Sequence, residues 1–152
     1  MQMKKIGILL LVAFTSFASA IERENSNGPS FYLGIGDVFG IIGINAQYQI
    51  EFNNSHFSIS PFLGAGASGS VTKWFCYSGG IFGEYGKYNK IQIGTFYRSW
   101  GNVENAFGAT LGYHLVATSG FSLFANVGIK FVPLNSGTSN LPTANLGFGY
   151  KI

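Results

Sequence analysis

The stretch Ile42–Phe52 reads IGINAQYQIEF. In an extended chain Ile42, Ile44, Ala46, Tyr48, Ile50 and Phe52 fall on one face. Gly43, Asn45, Gln47, Gln49 and Glu51 fall on the other. A period of two is the mark of a β-strand, because successive side chains point to opposite sides of the backbone. Phe121–Phe131 repeats the pattern, with Phe121, Leu123, Ala125, Val127, Ile129 and Phe131 set against Ser122, Phe124, Asn126, Gly128 and Lys130.

Reading outward from these two runs predicts eight strands, at about 31–39, 41–53, 56–67, 71–86, 90–100, 105–116, 120–132 and 142–152. Asn53-Asn54-Ser55, Gly86–Asn89 and Ala117–Gly120 read as tight turns. Asp37–Gly40, Ser68–Lys73, Ser99–Asn105 and Pro133–Pro142 read as mostly longer loops. Short turns at one end and longer loops at the other is the layout of an outer-membrane barrel, with both termini at the short-turn, periplasmic end. Two places fit poorly. Pro61 forfeits a ladder hydrogen bond in the third strand. Ser78-Gly79-Gly80 is placed to form a bulge that flips the facing of the fourth.

The first twenty residues read as a secretory signal: Lys4 and Lys5, an apolar run from Ile6 to Ala18, and Ala18-Ser19-Ala20 as a small-x-small cleavage site. Cleavage after Ala20 leaves a polar leader, 21–30, and a barrel over 31–152. Removing the signal takes 152 residues to 132 and nine basic residues to seven, against six acids. A net charge of +1 points to no nucleic-acid partner. Ile21 is not the cysteine that a lipid anchor needs. Cys76, the one cysteine, forms no internal disulfide, and no Cys/His cluster has metal-ligand spacing.

Thirteen charged residues in 132 is about one in ten, against roughly a quarter in an ordinary soluble domain. So few charges do not clothe a wet surface. After the signal, no apolar run reaches the ~20 residues of a membrane helix. Alternation does not by itself say which face is wet. The scarcity of charge, the glycines on the polar face (Gly34, Gly36, Gly43, Gly64, Gly66, Gly94, Gly108, Gly112, Gly128, Gly147 and Gly149) and the aromatics near strand ends all place the apolar face in lipid. The expected outward aromatics are Tyr48, Phe52, Phe57, Tyr85, Tyr113, Phe121 and Tyr150 at the turn end. Those expected at the loop end are Phe39, Phe75, Tyr97, Phe107 and Phe131.

The last eight residues, NLGFGYKI, resemble the C-terminal β-signal of bacterial outer-membrane proteins, with Asn145, Gly147, Tyr150 and Ile152 at its defined positions. Ile152 stands where phenylalanine is usual. With the strand layout and PFLGAGAS, Pro61–Ser68, the chain from Phe31 resembles the small eight-stranded OmpA-like and opacity-type barrels. The resemblance implies an all-β, antiparallel, up-and-down transmembrane barrel of the outer membrane. It implies a monomer without cofactor or enzymatic activity, recognised by the barrel-assembly machinery. Its role would be structural or surface-interacting, through a partner the loops do not name, with a narrow pore as a variant.

Other chemistry is weaker. GAGASG, Gly64–Gly69, has the dinucleotide-binding spacing but no helix is expected after it. His56-Phe57-Ser58 is the H-x-S of lipid A deacylases, yet it sits beside the first tight turn, on the lumen face and without that family's following Asn. Asn53-Asn54-Ser55 is a glycosylation sequon in form alone. Parity instead sends Glu51, Glu84, Arg98, His114, Lys130 and Lys151 into the lumen as a polar network, with Asp37 and Glu104 in nearby loops. Phe62, Phe82, Phe96, Phe124 and Cys76 also face inward. A lipid A-modifying enzyme and a soluble lipocalin-like binding barrel are the alternatives.

Overall fold

In a computed structural model the chain is described over residues 27–52, 56–70, 73–100, 105–134 and 137–152. The expected signal segment, most of the leader, Asn53-Asn54-Ser55 and Glu104 lie outside the described residues. Eight strands form one closed antiparallel barrel in sequence order: β1 Gly28–Gly36, β2 Ile41–Glu51, β3 Phe57–Ser70, β4 Lys73–Tyr85, β5 Asn89–Ser99, β6 Asn105–Val116, β7 Phe121–Leu134 and β8 Gly137–Lys151. Closure comes from β8 pairing with β1, Lys151 opposite Ser30 through Leu146 opposite Ile35. Backbone groups on these paired segments are satisfied by neighbouring strands.

The predicted faces hold. Ile42, Ile44, Leu63, Ile93, Leu111, Val127 and Phe148 are exposed on the outside. Asn45, Gln47, Gln49, Ser58, Glu84, Gln92, Thr110 and Asn126 are buried inside. Outward aromatics gather toward both rims, Tyr48, Phe57, Tyr85 and Tyr113 at one and Phe75, Phe107 and Phe131 at the other.

Four expectations are corrected. β1 begins at Gly28 and ends at Gly36. Asp37–Phe39 is then a turn of 3-10 helix that folds into the barrel, so Phe39 is wholly buried rather than part of the outer girdle. The expected loop Pro133–Pro142 is instead a hairpin, with Leu134 paired to Gly137. The loop Ser68–Lys73 likewise shrinks, because Ser70 pairs with Lys73. The connections at the two ends are therefore of similar length. Finally, the register runs unbroken through Ser78-Gly79-Gly80, and the irregularity falls between Ala67 and Ser70.

Of the four prolines within strands, Pro61, Pro133 and Pro142 sit where one backbone edge is unpaired. The β2–β3 ladder lapses between Gln47–Phe62 and Ile50–Ile59, around Pro61. Pro142 lies beyond Leu146, where β8 has lost β1, and Pro133 lies beyond Phe131, where β7 has lost β6. A residue without an N–H costs least at such places.

The lumen is filled by fitting rings over glycines. Phe62 is paired with Gly80, Phe82 with Gly94, Phe96 with Gly108, Phe124 with Gly147 and Tyr32 with Gly149. A Cβ at any of these glycines would overlap its partner's ring. The rings then meet each other. Phe62 and Phe82 stack with centroids 4.6 Å apart, and Tyr32 meets Phe124 edge-on at 5.1 Å. Small residues leave the room that an eight-stranded barrel otherwise lacks.

Candidate functional site: the filled lumen

The loop-end half is organised by the inward turn. Asp37, Val38 and Phe39 are buried. Phe39 stacks on Phe124 at 5.4 Å, and the Val38 N–H donates to Asn145 Oδ1 at 3.0 Å. The Val38 carbonyl accepts from Ser78 Oγ at 2.8 Å and from Asn45 Nδ2 at 3.3 Å. Gly34, Gly43, Gly64, Gly66 and Gly147 form the seat, where a Cβ would strike the backbone or ring of this turn. The Asp37 carboxylate is held by Arg98, by Thr143 Oγ1, and by Lys130 Nζ at 3.2 Å. Arg98 also lies over the Trp100 ring at 4.2 Å.

The turn-end half centres on Glu84, on β4. Its Oε1 receives Gln92 Nε2 at 2.8 Å and lies 2.6 Å from His114 Nδ1. Its Oε2 receives Ser58 Oγ at 3.3 Å and Ser60 Oγ at 3.5 Å, with Lys90 Nζ at 3.7 Å. Lys90 also lies 3.7 Å from Glu51. On the other side of His114, Nε2 is 2.6 Å from Ser122 Oγ and 3.0 Å from the Tyr32 hydroxyl. Lys151 Nζ donates to Gln49 Oε1 at 2.9 Å, and Gln49 donates on to Glu51.

The predicted network is thus two clusters. Glu51, Glu84 and His114 meet at the turn end, with Lys151 linked through Gln49. Arg98 and Lys130 meet at the loop end on Asp37, which is buried and not a loop residue. Sequence reasoning missed Tyr32, Lys90, Gln92, Ser122 and Asn126 as members. Lys90 and Gln92 share parity with Phe96 and Arg98, and Tyr32 with Gly34, so the signal was there.

Asn145 and Gly147 face inward and Tyr150 and Ile152 outward. Asn145 ties the inward turn to Asn126, donating to its Oδ1 at 2.7 Å, and Gly147 lies under Phe124. His56 and Ser58 do not share a site. His56 is exposed against the Tyr85 ring, while Ser58 is inside on Glu84. Gly64–Gly69 lies within β3, which runs on to Ser70, so no helix follows it. Cys76 is buried, as parity requires. Among the described residues no group of three or more His, Cys, Asp or Glu side chains is placed to hold a metal ion.

No protein-family model matches the chain, and no curated protein matches it. Among solved structures the barrel is similar to the backbone structure of the Yersinia pestis outer membrane protein Ail in a phospholipid bilayer nanodisc. The two are 18% identical, with a TM-score of 0.43, over 84% of this chain and 100% of that one. The likeness is slight, and the fold stands on the strand pairing of this chain itself.

With both halves of the lumen hydrogen-bonded and rings packed between them, the interior is a filled core, and a hydrogen-bonded chain from Glu84 through Gln92 and Asn126 to Asn145 links its two ends. Asp37, Glu84, Lys90 and Arg98 each have an opposite partner, which is the condition under which charges are tolerated away from water.

Proposed function

We propose that this chain is a bacterial outer-membrane β-barrel with a structural or surface-interacting role, and that its lumen is closed to bulk flow. One observation carries the reading: the apolar face of every strand is on the outside. Leu33, Ile44, Leu63, Ile81, Ile93, Leu111, Val127 and Leu146, one from each strand, are all 45–73% exposed. Soluble monomers rarely expose contiguous apolar patches beyond a few hundred Å². A belt of this kind belongs in hydrocarbon, where a closed barrel leaves no backbone edge within the wall.

A soluble lipocalin-like barrel would place these side chains around a ligand instead. The filled lumen, with Phe82, Phe124 and Arg98 buried in it, speaks against that reading. The β-signal reading of Asn145, Gly147, Tyr150 and Ile152, and with it the barrel-assembly machinery as partner, rests on the sequence pattern. So does export by a cleaved signal.

The test is fractionation followed by an unheated SDS gel. The account expects the protein in the outer-membrane fraction, with a band that shifts on boiling. Recovery from the soluble periplasm without a shift would overturn it.

A further inference from the structure

We propose that Ser122, His114, Glu84 and Tyr32 form a nucleophile site just beneath the turn-end mouth of the barrel, able to accept an acyl or phosphoryl group from a small ester. This goes beyond the envelope role and uses groups that role leaves without a task. The four side chains come from four strands, β7, β6, β4 and β1.

The geometry is that of an activated hydroxyl. Ser122 Oγ lies 2.6 Å from His114 Nε2, and His114 Nδ1 lies 2.6 Å from Glu84 Oε1. With Nδ1–H donated to the carboxylate, Nε2 presents a lone pair to the serine hydroxyl. Nucleophile, base and a third group that orients the base is the arrangement by which serine is made reactive. Glu84 is itself fixed by Gln92, Ser58 and Ser60, so it is a positioning residue with a rigid aim. Lys90 Nζ lies 3.7 Å from both Glu51 and Glu84 and helps hold the carboxylate in place. The Tyr32 hydroxyl, 3.1 Å from Ser122 Oγ, is placed to donate to an oxyanion formed there. The Leu115 carbonyl, 3.1 Å from Ser122 Oγ, is the resting alternative acceptor.

The site is closed at rest, and Ser122 is fully buried. Its cover is thin. On β8, Lys151 is the next inward residue beyond Gly149, the partner of Ser122. Lys151, Gln49 and Ser30 form the layer toward the mouth, and the Lys151–Gln49 bond joins two long, flexible side chains. Swinging them aside admits a small molecule from the turn-end compartment.

The step is a hydrolysis in two halves. Ser122 Oγ bonds to the carbonyl carbon as its proton passes to His114 Nε2, and Tyr32 donates to the oxyanion. The ester C–O bond then breaks, and the leaving alkoxide takes the proton from His114. Water repeats the sequence on the acyl-serine, giving acid and free Ser122. Ester and water become acid and alcohol, with no other reactant.

The test uses the full-length barrel, folded in detergent, with diisopropyl fluorophosphate as the probe. Its P–F bond breaks, fluoride leaves and a Ser122 Oγ–P bond forms, read by peptide mass spectrometry. The expected result is an adduct on Ser122, absent in Ser122→Ala and formed faster in Lys151→Ala, where the cover is cut back. In His114→Asn and Glu84→Gln the rate falls by about 100-fold or more, and Glu84→Asp restores part of it. Every variant is checked for the heat-dependent gel shift, so that loss of folding is not read as loss of reactivity. The proposal is overturned if folded wild type and folded Lys151→Ala both leave Ser122 unlabelled. Labelling that is indifferent to His114 and Glu84 overturns it as well. Either failure leaves the envelope role untouched, because that role is tested by fractionation.

Discussion

Phe82 on β4 lies over Gly94, its cross-strand partner on β5, so closely that a Cβ at Gly94 would overlap the ring. Phe82 is wholly buried and stacks on Phe62. The same ring-over-glycine relation recurs around the barrel, and it replaces the void that a small closed sheet would otherwise enclose. Gly94→Leu therefore forces Phe82 off its site. Overpacking of this kind costs about 1–3 kcal/mol. The expected outcome is a lower urea midpoint for the folded barrel in detergent. Gly83→Ala is the control, because its Cβ meets nothing nearer than 3.7 Å, and its midpoint should be within about 0.5 kcal/mol of wild type.

Asp37 carries the loop-end cluster. Asp37→Asn leaves the buried Arg98 guanidinium and Lys130 facing each other without their shared carboxylate. Breaking a buried pair by removing one partner costs about 3–5 kcal/mol. Adding Arg98→Met should recover much of the loss, since a buried pair replaced by apolar volume is close to neutral. A double-mutant cycle on urea midpoints reads both.

Much of this was legible in the sequence, and the exceptions have physical causes. Period two fixed the strands and sent Phe62, Phe82, Phe96, Phe124, Glu84, Arg98, His114 and Lys130 inside, where they are. The inward turn was not legible. Phe39 keeps the outward parity of Leu33 and Ile35 and so reads as part of the outer wall, although Gly36 takes a φ of 113° and leaves the strand. In a chain with 22 glycines, nothing marks that one as the exit. The β7–β8 hairpin was hidden by Pro133 and Pro142, which read as loop signals but stand at free strand edges. The Ser122–His114 contact depends on the β6–β7 register, in which Ser122 lies opposite Val116, two residues past His114. Sequence parity gives the face, while the register decides who meets on it.

Ile41 follows the inward turn with a φ of 80°, an unfavourable conformation for a β-branched residue. Such backbone strain costs about 1–3 kcal/mol. Ile41 is 37% exposed, so little packing is lost on truncation. Ile41→Gly should leave stability equal or raised, by up to about 1 kcal/mol after the entropic cost of glycine. A fall of more than that in the urea midpoint would contradict the strain.

Leu111 lies mid-strand on the outer wall of β6 and is 57% exposed. In lipid, Leu111→Arg should cost about 2–4 kcal/mol, as charges do near a bilayer midplane. The same substitution at an aqueous surface would be close to neutral. Refolding yield and urea midpoint in phospholipid vesicles separate the two cases.

The central claim is that the outer wall meets hydrocarbon. It is tested most directly by tryptophan fluorescence in vesicles whose acyl chains carry bromine near the bilayer centre. Trp74 and Trp100 are replaced by Phe, and Leu111 by Trp. The account predicts strong quenching by the brominated chains and little by aqueous iodide. Quenching by iodide with none from bromine would put the apolar wall in water and contradict it.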